Sequence, residues 1–198
     1  MIKLAVFASG AGTNARELIR YFRHHPEIMV AAIFCNRSGA GVIKVAAEEG
    51  VPLVLFNRKD LYEQNHVLQE LQKRAIDYIA LAGFLWKIPE PILNAYPDRI
   101  VNIHPALLPR HGGKGMYGMH VHEAVLACGD RESGITVHLV NDQYDAGPIL
   151  FQRRIVVPPA QTAAQLAQRI HELEHYWYPR IIECWILKKT IPSGTNPS

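Results

Sequence analysis

The chain has 198 residues, a length that suits one domain able to bury a substantial core. Its 48% hydrophobic and 20% charged content is that of globular rather than disordered protein. The net charge of +3 is small and the basic residues are scattered, so there is no nucleic-acid footprint, while a modest positive field suits a phosphorylated or carboxylated small ligand.

Ile2 to Ala8 is an almost continuous apolar run, as expected for a strand buried on both faces. Ser9-Gly10-Ala11-Gly12-Thr13-Asn14 interrupts it, and a helix follows with Leu18, Ile19 and Phe22 at helical spacing. Met29 to Cys35 reads as a second strand, Val42 to Glu49 as a helix closed by Gly50, and Pro52 to Phe56 as a third strand. One longer helix is predicted over Asp60 to Arg74, with Leu61, Leu68 and Leu71 on one side. Tyr78 to Ala82 is a fourth strand, Glu90 to Ala95 a short helix and Arg99 to His104 a fifth strand. This alternation implies an open, mostly parallel, Rossmann-like α/β sheet with helices on both faces.

After His104 the character changes. Pro105 to Gly118 is rich in proline and glycine and is predicted to be an exposed, mobile loop. Met119 to Cys128 reads as a helix. Ile135 to Val140 and Ile149 to Val157 read as two strands joined through an Asp-rich turn, an antiparallel addition to the sheet. Ala163 to Leu187 forms one long helical pattern with Pro179 as a kink point, and Lys188 to Ser198 a frayed polar tail. With no repeat or linker, residues 1–187 read as a single domain. The first residues read as a strand rather than a signal peptide, and no apolar stretch reaches membrane length, so the expectation is a cytoplasmic protein. Cys35, Cys128 and Cys184 lack C-x-x-C spacing and fit reduced thiols.

Several polar residues carry plain structural readings. His120 and His122 would point to different faces of a helix, and no metal site is expected. His138 reads as a packed, hydrogen-bonded strand residue, Trp177, Tyr178 and Trp185 as helix-packing residues, and Arg153-Arg154 as a solvated strand end.

Two motifs carry chemistry. In Asn102-Ile103-His104-Pro105, strand alternation points Asn102 and His104 the same way, and Pro105 stops the strand. An amide able to donate to an oxyanion, an imidazole able to move protons, and a carboxylate from the downstream block Asp142-Gln143-Tyr144-Asp145-Ala146-Gly147-Pro148 form an acyl-transfer set; a polar strand end entering a loop is the alternative. The loop Ser9 to Asn14 offers glycines and a helix N-terminus to an anion. It departs from a dinucleotide fingerprint, because no third glycine follows and the second strand ends in Cys35-Asn36-Arg37 without an acidic residue. A single phosphate fits this loop best, and an NADP-dependent reductase or a nucleotide-binding module stays open.

Residues 9–14 (SGAGTN), 102–109 (NIHPALLP) and 138–148 (HLVNDQYDAGP), in this order, resemble the folate-dependent glycinamide ribonucleotide formyltransferases, and the similarity runs to about Leu187. The resemblance implies direct formyl transfer from 10-formyltetrahydrofolate, as co-substrate, to the amine of glycinamide ribonucleotide, in purine biosynthesis. No tightly bound cofactor is implied, and the chain would act as a monomer or homodimer. Asn102, His104 and Asp145 would be catalytic, with Asp145 orienting His104 and raising its pKa. Gly12, Thr13 and Asn14 would hold the phosphate, with His171 and Glu174 also on the ribonucleotide. Leu85, Trp86, Lys87 and Ile88, with Asn102 and with Asn141, Asp142, Gln143, Tyr144 and Asp145, would line the folate, and Lys59 would face its carboxylate tail. Trp86 and Lys87 stand where relatives carry an Arg-Ile pair, and Gly112 to Tyr117 would be a longer loop acting as a lid. Another formyltetrahydrofolate-using transferase or a hydrolase is the alternative within the family.

Overall fold

The structure, a computed structural model, describes residues 1–192; the predicted tail beyond Pro192 lies outside them. Seven strands form a sheet in the order β3-β2-β1-β4-β5-β6-β7. The chain divides into two compact units, the first ending at Val101 and the second beginning at Asn102, a boundary that falls inside one strand.

In the first unit, β1 (Ile2–Ala8) pairs in parallel with β2 (Ile28–Cys35) and β4 (Tyr78–Leu81), and β2 with β3 (Leu53–Leu55). Leu4 to Ala8 of β1 have no exposed surface, which is the two-face burial that its unbroken apolar run predicts. Phe7 stacks on Phe34 at 4.8 Å and meets Phe84 edge-on at 5.3 Å. Helix α1 (Thr13–Phe22) buries Ala15, Leu18, Ile19 and Phe22, one helical stripe, and α2 (Val42–Glu49) ends on the left-handed Gly50. Arg16 pairs with Glu48 at 2.7 Å, and Arg20 and Arg23 both reach Glu49, tying α1 to α2.

The helix predicted over Asp60 to Arg74 is in fact two. Asn57 and Asp60 form a capping box that starts α3 (Arg58–Tyr62) earlier than expected, and left-handed Asn65 precedes α4 (His66–Lys73). Helix α5 (Glu90–Ala95) leads to β5 (Ile100–His104), whose last three residues open the second unit.

In the second unit, α6 (Met119–Ala127) precedes the antiparallel pair β6 (Glu132–Leu139) and β7 (Ile149–Val156). β6 begins three residues before its predicted start, because Glu132 to Gly134 pair with Arg154 to Val156. Helix α7 (Ala163–Ile186) starts with a Thr162–Gln165 capping box and continues through Pro179. Trp177 packs on Phe151 at 4.9 Å and Tyr178 is buried, as predicted. Arg153 corrects the solvated reading of the Arg153-Arg154 pair. Alternation along β7 turns it inward, where its guanidinium lies 5.6 Å from the Trp177 ring, while Arg154 stays outside on Glu132. Past α7, Lys189 is tied back through its N–H to Cys184 and through Nζ to Glu183, so the predicted fraying does not begin at Lys188.

The loop predicted over Pro105 to Gly118 is exposed only in its second half. Ala106, Leu107 and Leu108 are core residues, and the Leu108 N–H and C=O are held by Thr136 Oγ1 and Gln152 Nε2. Counting prolines and glycines conceals this apolar triplet. Lys114, Gly115, Tyr117 and Gly118 are exposed.

Candidate active site

Asn102 and His104 lie at the end of β5, on the same face as alternation requires, and His104 is only 3% exposed. Asp145 meets both across the second unit. Its Oδ1 lies 3.4 Å from Asn102 Nδ2, and its Oδ2 lies 3.6 Å from His104 Nδ1 and accepts the Gly113 N–H at 2.9 Å. Asp145 occupies the left-handed region at φ 54°, at the end of a turn in which Asn141 Oδ1 accepts the Gln143 N–H.

The hydrogen bonds decide the tautomers. His104 Nε2 lies 2.7 Å from the His111 carbonyl, which can only accept, so Nε2 carries a proton and Nδ1 is the basic position. At 3.6 Å no hydrogen bond joins Nδ1 to Asp145, whose charge acts on the ring only once Nδ1 is protonated. His138 Nδ1 lies 2.8 Å from the Leu139 carbonyl, which places its proton there too. His138 Nε2 therefore accepts from Asn102 Nδ2 at 3.1 Å. The Asn102 amide is thereby oriented with its NH2 group, an oxyanion donor, toward His138 and Asp145.

Electrostatics differ from the sequence expectation at one point. Burial pushes the His104 pKa below the ordinary imidazole value. Asp145 and the His111 carbonyl pull it upward without offsetting that loss of hydration, and His138 and His111 add to the depression. The predicted raising by Asp145 is present as a contribution and loses to desolvation. Burial pushes Asp145 upward in turn, but a hydrogen bond from His138 and the charge of His104, present when those rings are protonated, together with the Gly113 N–H outweigh it and hold its carboxyl below the usual range. Of these, the Gly113 contact holds whatever the His138 tautomer. The site at neutral pH is a carboxylate beside a neutral imidazole.

His138, read from sequence as a packed strand residue, is packed and also orients Asn102. The available signal was Thr136 and His138 alternating on one face of the otherwise apolar stretch Ile135 to Val140, both bonded to the β5-end region. On α7, His171 and Glu174 share a face by their i,i+3 spacing; Glu174 is buried, and the His171 and His175 rings are near parallel at 6.2 Å. Burial and His175 lower the His171 pKa. His122 is buried while His120 is exposed, so the two do diverge, and burial with His171 and His104 nearby depresses the His122 pKa to about 4.

The remaining predicted residues belong to the first unit. Gly12 is left-handed at φ 79°, and a Cβ there would sit 2.7 Å from Val42, so only glycine fits this turn into α1, where Thr13 and Asn14 form its first residues. The loop borders a cavity of about 590 Å³ with Asn36 to Gly41. Leu85 is fixed by its N–H on Ser9 Oγ, the Lys87 carbonyl accepts from Tyr62, and Ile88 is a core side chain. Lys59 is exposed. Its neighbour Arg58 lies 5.2 Å from the Tyr62 ring and 5.5 Å from Trp86. Asp142, Gln143 and Tyr144 are exposed beside Asp145. Among the described residues no group of three or more His, Cys, Asp or Glu side chains could hold a metal ion, and no helix is long and apolar enough to cross a membrane.

The formyl transferase family model matches residues 2–182. The chain is 38% identical over 192 residues to the chloroplastic phosphoribosylglycinamide formyltransferase of Arabidopsis thaliana, covering 91% of this chain and 64% of that protein. It is 35% identical over 189 residues to the phosphoribosylglycinamide formyltransferase of Bacillus subtilis, covering 92% and 94%. The chain thus spans less than two thirds of the length of the plant relative. Among solved structures it is similar to glycinamide ribonucleotide transformylase 1 from Symbiobacterium toebii, with a TM-score of 0.87, 30% identity, and coverage of 98% of this chain and 92% of that one.

Proposed function

For a chain that belongs to the formyl transferase family, we propose direct transfer of the formyl group of 10-formyltetrahydrofolate to the amine of glycinamide ribonucleotide. The observation that carries the reading is the oriented set at the end of β5: an amide donor, a buried neutral imidazole and a carboxylate. The ribonucleotide amine attacks the formyl carbon, and the carbonyl oxygen becomes an oxyanion. Asn102 Nδ2 keeps one N–H on His138 Nε2 and turns the other, which makes only a long 3.4 Å contact with Asp145 Oδ1, to that oxygen, a contribution of about 3 kcal/mol in comparable sites. His104 Nδ1 takes the proton released by the attacking nitrogen, and Asp145 stabilises the resulting imidazolium. The same proton then passes to the folate nitrogen as its bond to the formyl carbon breaks, leaving the N-formyl product and tetrahydrofolate. The balance closes without an acyl-enzyme.

Gly12, Thr13 and Asn14 hold the ribonucleotide phosphate with main-chain N–H groups, and Glu174 and His171 contact the ribonucleotide. Leu85 to Ile88 and Asn141 to Asp145 form the pterin walls, and Lys59 faces the folate carboxylates. The partners are these small molecules, without a tightly held cofactor, in a cytoplasmic setting, and the chain works as a monomer or homodimer. Incubating the protein with both substrates and following the formylated ribonucleotide by mass spectrometry tests the proposal. The expected result is product and tetrahydrofolate in equal amounts. Formate release that does not need the ribonucleotide would replace the transferase reading with a hydrolase.

A further inference from the structure

We infer that His111 and Asp130 form a positioning pair that sets the proton location on His104. The inference rests on the role of His104 proposed above and adds residues that lie outside the reacting set. His111 Nε2 meets Asp130 Oδ2 at 2.7 Å, and Arg110 Nη1 meets Asp130 Oδ1 at 3.2 Å, so both carboxylate oxygens are held. The His111 and Asp130 side chains are 11% and 18% exposed, which separates this contact from a solvent-screened surface pair. Glu132 and Ser133 line the same small cavity as His111 and Asp130, and Arg110 is the cation that faces the carboxylate there.

The consequence is at the backbone. His111 adopts φ 55°, unusual for a side chain of this size, and its carbonyl then meets His104 Nε2 at 2.7 Å. Two residues on, the Gly113 N–H holds Asp145 Oδ2. Gly112 between them packs so closely that a Cβ would lie 2.4 Å from Leu108 Cδ2 and 3.3 Å from Asp145 Cβ. One short segment therefore touches both partners of the imidazole–carboxylate pair, and its only side-chain ion pairs, among the described residues, run to Asp130. Releasing His111 from Asp130 frees the carbonyl that keeps the His104 proton on Nε2. Nδ1 would then carry the proton part of the time and lose its capacity to accept one.

Nitrogen-15 NMR of histidine-labelled protein tests this directly, with the His104 signals assigned through His104→Gln. In the unsubstituted protein the neutral ring is expected to carry its proton on Nε2; a proton on Nδ1 overturns the inference. In Asp130→Ala and His111→Phe the signals are expected to move toward mixed tautomers. In formyl transfer, kcat should fall about tenfold while KM for each substrate stays within about twofold. The double variant should be no worse than either single one, as for groups acting as a unit. His111→Gln, which keeps a donor toward Asp130, should restore most of the rate. Unmoved His104 signals in folded variants, or losses that multiply in the double variant, overturn the inference. Absence of formyl transfer by the unsubstituted protein would instead refute the proposed function, and the tautomer measurement would still decide this point.

Discussion

Asp145 is the residue whose charge is felt most widely, because it faces His104, His138, Asn102 and the Gly113 N–H at once. Asp145→Asn keeps the shape and removes the charge that draws the His104 pKa upward against burial. The pH–rate profile for formyl transfer should show its acid limb displaced to lower pH, with the rate down about a hundredfold or more. An unmoved limb would disconnect the carboxylate from the imidazole. His138→Leu removes the acceptor that orients Asn102, and kcat should fall about tenfold with little change in ribonucleotide affinity measured by calorimetry. The shared face of Asn102 and His104 was legible because strand alternation is a local property, whereas Asp145, far along the chain, entered through the family resemblance. The tautomers were not legible, since they depend on carbonyls supplied by His111 and Leu139.

At the scale of elements, the β6–β7 pair leaves no room for a side chain at Gly134. A Cβ on Gly134 would sit 1.9 Å from the Arg153 carbonyl oxygen and 2.8 Å from Leu107 Cδ2, neither the end of a freely moving chain. Gly134→Ala should cost about 3 kcal/mol, read as a fall in the unfolding midpoint in urea, whereas Gly39→Ala, with nothing within 4 Å, should leave that midpoint nearly unchanged. Periodicity and caps made most elements visible. It failed at α3 and α4, where the apolar pattern of Leu61, Leu68 and Leu71 runs on across a backbone break at Asn65. It also failed at Ala106 to Leu108, where loop composition hid core residues.

At the scale of the molecule, the buried titrating groups act in the same direction. His122 titrates at about 4 in the fold against an ordinary value of 6.5, and its Nδ1 has no hydrogen-bond partner among the described residues. The unfolded chain therefore binds the extra proton first, and stability is lost as pH falls from about 6.5 toward 4. Allowing for solvent reaching part of the ring, His122 contributes about 2 kcal/mol of that loss, and His104 adds to it in the same sense. Asp145, held below its ordinary value, adds a further loss at still lower pH. Urea unfolding between pH 7 and 4.5 should show this slope, and His122→Leu should flatten it; an unchanged slope would remove His122 as the cause. The sequence by itself determined the alternating α/β architecture, the glycine turn at Gly12 and the family, because these rest on local periodicity, on backbone freedom and on short ordered motifs. Only the tertiary structure decided which polar atoms meet around Asn102 and His104, and that burial outweighs the Asp145 charge at the imidazole. Hydration lost at a site is a property of everything packed around it, and no local stretch of chain encodes that.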